Sequence, residues 1–292
     1  MDILIYGKNG WIGGKLIEHI NNNFPEIKLS VSNVRLENYG ELINELDEIK
    51  PSRVILAAGL TGRPNVDWCE DNKDETLNIN VIGVSVLASE CNKRNIHFTY
   101  LGTGCIYEYD ENHTIEDALK NSNGFTETDE PNFDKSFYSK TKIITENILK
   151  NMKNVLTLRL RMPLSDDLHL RNFITKITKY EKVVNVPNSM SILHDLVPII
   201  VDMSITKKVG IYNFTNPGVI SHNDILSLYK QYINPEFTWK NFTLEEQSKI
   251  LKAGRSNNSL DSSKLSNDYP SLEHISISII KLFERMKINL TL

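Results

Sequence analysis

Gly7, Gly10 and Gly13 punctuate the start of this chain, directly after the apolar run Ile3-Leu4-Ile5-Tyr6 and directly before the amphipathic stretch Trp11 to Ile20. A glycine at every third position of a strand-to-helix turn leaves few folds open. Glycines permit the tight turn, let the backbone approach a pyrophosphate and let the helix pack closely on the strand, while the helix N-terminus attracts an anion. The spacing is Gly-x-x-Gly-x-x-Gly and not the standard Gly-x-Gly-x-x-Gly, but the physical demands are alike. Gly7, Asn9, Gly10, Trp11, Ile12 and Gly13 are therefore the predicted phosphate-binding turn. The alternative is a glycine-rich turn with no ligand.

Short apolar runs recur after it, with helical patterns between them: Lys28 to Ser32, Arg53 to Ala57, His97 to Leu101 and Val155 to Leu160. Such alternation predicts an α/β fold, a Rossmann-like, doubly wound parallel sheet. Its 292 residues, 40% hydrophobic, suffice for one large core or two modest ones. The expected division is a dinucleotide-binding domain at 1–163 and a smaller C-terminal substrate lobe at 164–292, with the strand-like 210–214 returning to the main sheet. Turns near Val186–Ser191 and Asn213–Ser221, and helices at Asn223–Ile233 and Leu272–Met286, belong to the lobe.

The net charge of −4 is spread without long single-sign runs, which gives no footprint for nucleic acid or an anionic membrane. Cys69, Cys91 and Cys105 are widely spaced and suit a reducing compartment, and no metal-ligand spacing is present. No 18-residue apolar run and no leader are readable, so a soluble cytosolic protein is expected.

Where an acidic residue would hold a ribose 2′-hydroxyl, the second strand ends in Ser32-Asn33-Val34-Arg35. Arg35 can pair with a 2′-phosphate, which favours NADPH over NADH; the alternative is a solvated surface arginine. Tyr138-Ser139-Lys140-Thr141-Lys142 sets a phenol and an ammonium four apart, on one face of a helix. The ammonium favours the ionised phenol, and a phenol so tuned can protonate a carbonyl oxygen as hydride arrives. Upstream, Thr103 stands at the end of the fourth strand, where α/β sheets bind ligands, and can hydrogen-bond that carbonyl; otherwise it satisfies its own turn.

The order of glycine turn, Asn78-Ile79-Asn80-Val81-Ile82-Gly83, Thr103, Tyr138 and Lys142 resembles the extended short-chain dehydrogenase/reductases. Within them the chain is similar to the plant-type nucleotide-rhamnose synthase/epimerase-reductases. The matching stretches are Gly62 to Glu70, Gly104 to Asp110, Ser136 to Lys142, Arg171 to Ile177, Asn213 to Gly218 and Arg255 to Asn258, spanning nearly the whole chain. The resemblance implies conversion of a UDP- or dTDP-4-keto-6-deoxy-D-glucose to the β-L-rhamnose nucleotide by 3,5-epimerisation and 4-reduction. It also implies that Thr103, Tyr138 and Lys142 form the reductase triad. Ala57, Ala58, Gly59 and Asn80, with Tyr138 and Lys142, would join the cofactor site, and Thr61, Arg63, Asn172, Asn216, Arg255 and Asn257 the nucleotide-sugar site. A homodimer is expected. So is a 4,6-dehydratase on a separate chain, because Met1 opens directly into the first strand.

A carbonyl at carbon 4 acidifies the hydrogens on carbons 3 and 5, and donors facing the carbonyl oxygen also stabilise the enolate. One site can thus serve both reactions. Cys105, two residues beyond Thr103, projects to the same side of an extended segment and is the candidate proton-transfer group. GDP-fucose synthase, which the chain resembles locally, has a cysteine in the matching place. Lys176, in the otherwise apolar Phe173-Ile174-Thr175-Lys176-Ile177, is the candidate for the opposite face of the ring, with His169 in reserve. A packing cysteine and a surface lysine are the alternatives. They would leave a plain 4-ketoreductase of the dTDP-4-dehydrorhamnose type; a non-catalytic regulatory subunit is a third reading. Arg161-Met162-Pro163-Leu164 departs from the pattern by lacking the usual Gly-Pro pair.

Overall fold

The computed structural model describes residues 1–291. Strands and helices alternate from the start: β1 (Asp2–Tyr6), α1 (Trp11–Asn23), β2 (Lys28–Val31), α2 (Tyr39–Ile49) and β3 (Arg53–Leu56). Two short helices follow, α3 (Trp68–Asp71) and α4 (Lys73–Leu77), then a π-helical turn (Asn78–Gly83), α5 (Val84–Lys93) and β4 (His97–Thr103). Next come α6 (Ile115–Leu119), α7 (Phe137–Leu149), β5 (Val155–Leu160), α8 (Phe173–Ile177), β6 (Lys182–Val183), α9 (Leu193–Ile205) and β7 (Gly210–Asn213). The remainder is α10 (His222–Tyr232), β8 (Lys240–Asn241), α11 (Leu244–Ser248), α12 (Ser263–Asp268) and α13 (Ile275–Thr291).

Six strands form one sheet in the order β2-β1-β3-β4-β5-β7, with β1 parallel to β2 and β3, and β3 parallel to β4. In this doubly wound order the crossovers reverse direction between β1 and β3, and ligands bind beyond the carboxyl ends of the strands at such a switch point. β3 and β5 are buried along their whole length and β1 from Ile3 onward. That near-continuous burial is the pattern of a parallel sheet covered on both faces.

The chain divides into two compact units. The first comprises residues 1–106, 133–159 and 197–212, and the second 107–132, 160–196 and 213–292. The expected single cut at residue 163 is therefore replaced by repeated crossings. The return of β7 to the main sheet is as the sequence pattern had it, whereas the joining of α9 to the first unit was missed, because the groups that draw it there are far away in the chain. Arg53 on β3 donates to the carbonyls of Ser204 (2.7 Å) and Ile205 (2.9 Å), capping the C-terminus of α9. The Thr99 and Ser204 hydroxyls meet at 2.9 Å. In the second unit, Ile174, Ile177, Met190, Ile192, Ile225 and Leu226 pack with Ile279, Leu282 and Phe283 of α13. Where the usual Gly-Pro pair is missing, Met162 itself takes the left-handed backbone, at φ 37°. No helix among the described residues is long and apolar enough to cross a membrane.

Candidate active site

The glycine turn is compact because nothing larger fits. Gly7 sits at φ 96°, and a Cβ there would lie 2.5 Å from the Ala58 nitrogen, so the loops after β1 and β3 touch through bare backbone. A Cβ on Gly13 would stand 2.1 Å from the Gly7 carbonyl oxygen. Trp11 is buried, Ile12 half-buried and Asn9 exposed. Gly10 caps α1 without a side chain, and no acidic residue occupies the first helical turn. Its positive helix end is thus left for an anion, and the turn fits a dinucleotide pyrophosphate. Arg35 is exposed, and a neighbour that sequence reasoning missed is Glu37, whose carboxylate accepts from Arg35 Nε at 2.6 Å. Behind it, Ser32 donates to Glu45 at 2.7 Å and accepts from the Val34 N–H at 2.9 Å, which shapes the end of β2.

Asn80 is turned into the protein. It is fully buried, and its amide both donates to the Leu60 carbonyl and accepts from the Leu60 N–H, each at 2.8 Å. Its own carbonyl accepts from Thr145 of α7 at 2.6 Å. The π-helical turn, unforeseen from the sequence, thereby holds the loop after β3 and α7 in one frame. Gly59 is close enough to Lys142 that an added Cβ would lie 3.6 Å from Nζ.

On α7, Tyr138 is half-buried and Lys142 buried, one turn apart. Lys142 Nζ lies 5.8 Å from the Tyr138 ring centre and 4.9 Å from that of Tyr100. It donates to the Tyr100 hydroxyl at 2.8 Å. Burial pushes the Lys142 ammonium down to about 8, opposed by the nearby Cys69 thiol. No sequence signal marked Tyr100 as part of the site.

Thr103 and Cys105 are tied to the same helix. The Thr103 hydroxyl oxygen accepts from the Cys105 N–H at 3.1 Å, so it satisfies its own turn while its proton points elsewhere. Ser139, next to Tyr138, donates to the Cys105 carbonyl at 2.6 Å. Ser136 caps α7 by accepting from the Ser139 N–H at 3.0 Å, and Glu70 accepts from the Phe137 N–H at 2.6 Å. The structure thus brings Thr103, Cys105, Tyr138 and Lys142 onto one strand end and one helix N-terminus. On the loop before α3, Thr61 is half-buried and Arg63 exposed.

The second unit sorts its predicted residues differently. Asn172 is fully buried; it accepts from the Ser165 and Ile174 N–H groups and donates to the carbonyls of Ser165 (2.7 Å) and Asp167 (2.6 Å). Asn216, also buried, accepts from the Ile192 N–H at 2.9 Å and donates to Asp195 at 2.9 Å, and to Glu273 and Ser278. Both amides hydrogen-bond within the protein, which gives these two residues an architectural part in the second unit. Asn257 accepts from Asn188 at 2.9 Å, and Arg255 is half-buried and donates to the Ala253 carbonyl at 2.8 Å. Lys176 is half-buried, and burial followed by the charges of Arg171 and Arg255 lowers its ammonium from the usual lysine value. His169 is exposed, its Nδ1 accepting from the Arg171 N–H at 3.1 Å.

Residues 1–224 match the family model of the RmlD substrate binding domain. A bifunctional dTDP-4-dehydrorhamnose 3,5-epimerase/dTDP-4-dehydrorhamnose reductase of Arabidopsis thaliana is 52% identical over 291 residues, covering 98% of this chain and 94% of the relative. A trifunctional UDP-glucose 4,6-dehydratase/UDP-4-keto-6-deoxy-D-glucose 3,5-epimerase/UDP-4-keto-L-rhamnose-reductase of the same plant is 50% identical over 282 residues. That match covers 96% of this chain and 41% of the relative. Among solved structures, the L780 UDP-rhamnose synthase of Acanthamoeba polyphaga mimivirus matches with a TM-score of 0.90 at 39% identity, covering 98% of this chain and 99% of that one.

Proposed function

Because the chain belongs to the RmlD substrate binding domain family, we propose that it is a bifunctional 3,5-epimerase/4-reductase that uses NADPH. Its substrate is UDP- or dTDP-4-keto-6-deoxy-D-glucose and its product the β-L-rhamnose nucleotide. The observation that carries this reading is the joining of Cys105 to the Tyr138 helix through Ser139, which sets a thiol-bearing residue beside the carbonyl-binding Thr103.

Bound NADPH supplies the hydride to carbon 4. Tyr138 gives its phenolic proton to the carbonyl oxygen, with the Lys142 ammonium beside it stabilising the phenolate left behind. Thr103 donates a hydrogen bond to the same oxygen and so steadies it first as an enolate and then as an alkoxide. Before reduction, Cys105 exchanges protons at carbons 3 and 5. Inversion also needs an acid/base on the opposite face of the ring, and Lys176, lowered by burial and two arginines, is the proposed group. Gly7, Gly10 and Gly13 take the pyrophosphate, Arg35 the 2′-phosphate and Arg255 the nucleotide sugar.

The 4-keto substrate comes from a 4,6-dehydratase on a separate chain, an activity the trifunctional relative carries itself. A cytosolic location suits three cysteines outside any disulfide. We propose a homodimer, supported by exposed apolar residues on elements in contact with one another, Leu77 of α4, Ile82 of the π-helical turn, and Ile144 and Ile148 of α7.

The test is to supply each 4-keto-6-deoxyglucose nucleotide with NADPH and identify the sugar by NMR. A rhamnose nucleotide is expected, with solvent deuterium at carbons 3 and 5. Reduction without deuterium would leave a plain 4-ketoreductase, and no product would leave a non-catalytic subunit. Cys105→Ala should suppress the exchange while sparing reduction of substrate supplied already epimerised, and Lys176→Ala should impair exchange too.

A further inference from the structure

Tyr100 lies under the active site with no role yet assigned. It is fully buried on β4, and its hydroxyl stands 42 residues away in sequence from the lysine that it meets. We propose that Tyr100 is a positioning residue for Lys142, its phenol oxygen holding the ammonium in one place and in its charged form beside Tyr138. The proposal rests on the reading of Tyr138 and Lys142 as the reducing pair.

The physical need is plain from what surrounds Nζ. A buried ammonium is costly unless its donors find acceptors. Each element packed around it offers something different. From α3 comes the Cys69 thiol, itself pushed above its usual range by burial. From the loop after β3 comes the bare backbone of Gly59. From α7 come Tyr138, one turn before, and Glu146, one turn after. Glu146 is the nearest carboxylate in the helix, but Arg159 of β5 takes both its oxygens, at 2.6 and 3.0 Å. The Tyr100 oxygen accepts from Nζ at 2.8 Å.

Tyr100 is suited to this because it stays neutral. Burial first, then the Tyr138 and Glu146 charges, push its phenol well above the usual range. A neutral oxygen stabilises the ammonium without cancelling its charge, so Lys142 can still act electrostatically on Tyr138. A carboxylate in the same place would form an ion pair and direct that charge away.

Tyr100→Phe removes the acceptor and keeps the ring. An accepted hydrogen bond favours the charged lysine, so its loss lowers the Lys142 pKa and the ammonium disappears at lower pH. In protein carrying 13C-labelled lysine and no cofactor, the Lys142 Cε resonance should titrate about one pH unit below the wild-type midpoint, as expected for loss of one charge-assisted hydrogen bond. The alkaline limb of kcat should move the same way by the same amount, with the rate below that limb within about threefold of wild type. Tyr100→Gln, which restores an acceptor, should recover part of the shift. An unchanged midpoint in Tyr100→Phe, with kcat lowered evenly at every pH, would make Tyr100 a packing residue and overturn the proposal. A protein that reduces no 4-keto sugar but shows the shifted Lys142 midpoint would lose the proposed function and keep this inference.

Discussion

α1 and α7 are both 13-residue helices of the first unit, and their N-termini are finished in opposite ways. At α1 the cap is Gly10, with no side chain to close the first turn and no acid within it. At α7 the Ser136 hydroxyl closes the turn onto the Ser139 N–H, and Glu70 takes the Phe137 N–H from a separate element. Every helix begins with backbone N–H groups that its own carbonyls cannot satisfy. Leaving them open makes a binding site for an anion that arrives from outside; closing them with the protein's own groups makes a rigid platform. On the proposed function the first helix binds the cofactor, while the second holds a phenol, an ammonium and, through Ser139, a cysteine in fixed relation.

The largest break in that comparison is expected from Tyr138→Phe. Loss of a general acid typically costs on the order of 10² to 10⁴-fold in turnover, while NADPH affinity by fluorescence titration should stay unchanged; wild-type turnover would remove α7 from the chemistry. Gly13→Ala does the converse. Its Cβ would press 2.1 Å from the Gly7 oxygen, and overpacking of roughly 1–3 kcal/mol should loosen NADPH about tenfold to a hundredfold. Equal affinity in that variant would mean that α1 is a turn without a ligand.

Ser136→Ala sharpens the comparison at smaller scale. Loss of an N-cap side chain costs about 1 kcal/mol, which urea unfolding should register with NADPH affinity intact. If NADPH binding weakened and stability did not, the two N-termini would have exchanged roles. The smallest effect is expected from Arg35→Ala. The arginine is exposed and already shares Glu37, so NADPH should weaken by only about fivefold relative to NADH, on the order of 1 kcal/mol. An equal loss for both cofactors would return Arg35 to the solvated surface.

Local pattern made much of this site legible. The glycine spacing marked the turn, strand-like runs located β1 to β5 within a residue or two at each end, and Tyr-x-x-x-Lys put two groups on one helical face because four residues is about one turn. The resemblance added Cys105 and the lobe residues by position in a motif. What it could not carry was how each polar atom is spent. Asn172 and Asn216 sit in motif segments, yet the protein consumes their amides, whereas Arg255 in a similar segment remains half-buried.

Sequence by itself determined the α/β alternation, the tight glycine turn and the pairing of Tyr138 with Lys142, since all of these rest on spacings of a few residues that backbone geometry converts directly into shared faces and tight turns. Tertiary structure alone decided that Tyr100 lies under Lys142, that Asn80 braces the loop after β3, that Glu70 closes α7, and that α9 joins the first unit. Each of those depends on side chains brought together from distant parts of the chain, where burial obliges every polar atom to find a partner and many residue types can supply one.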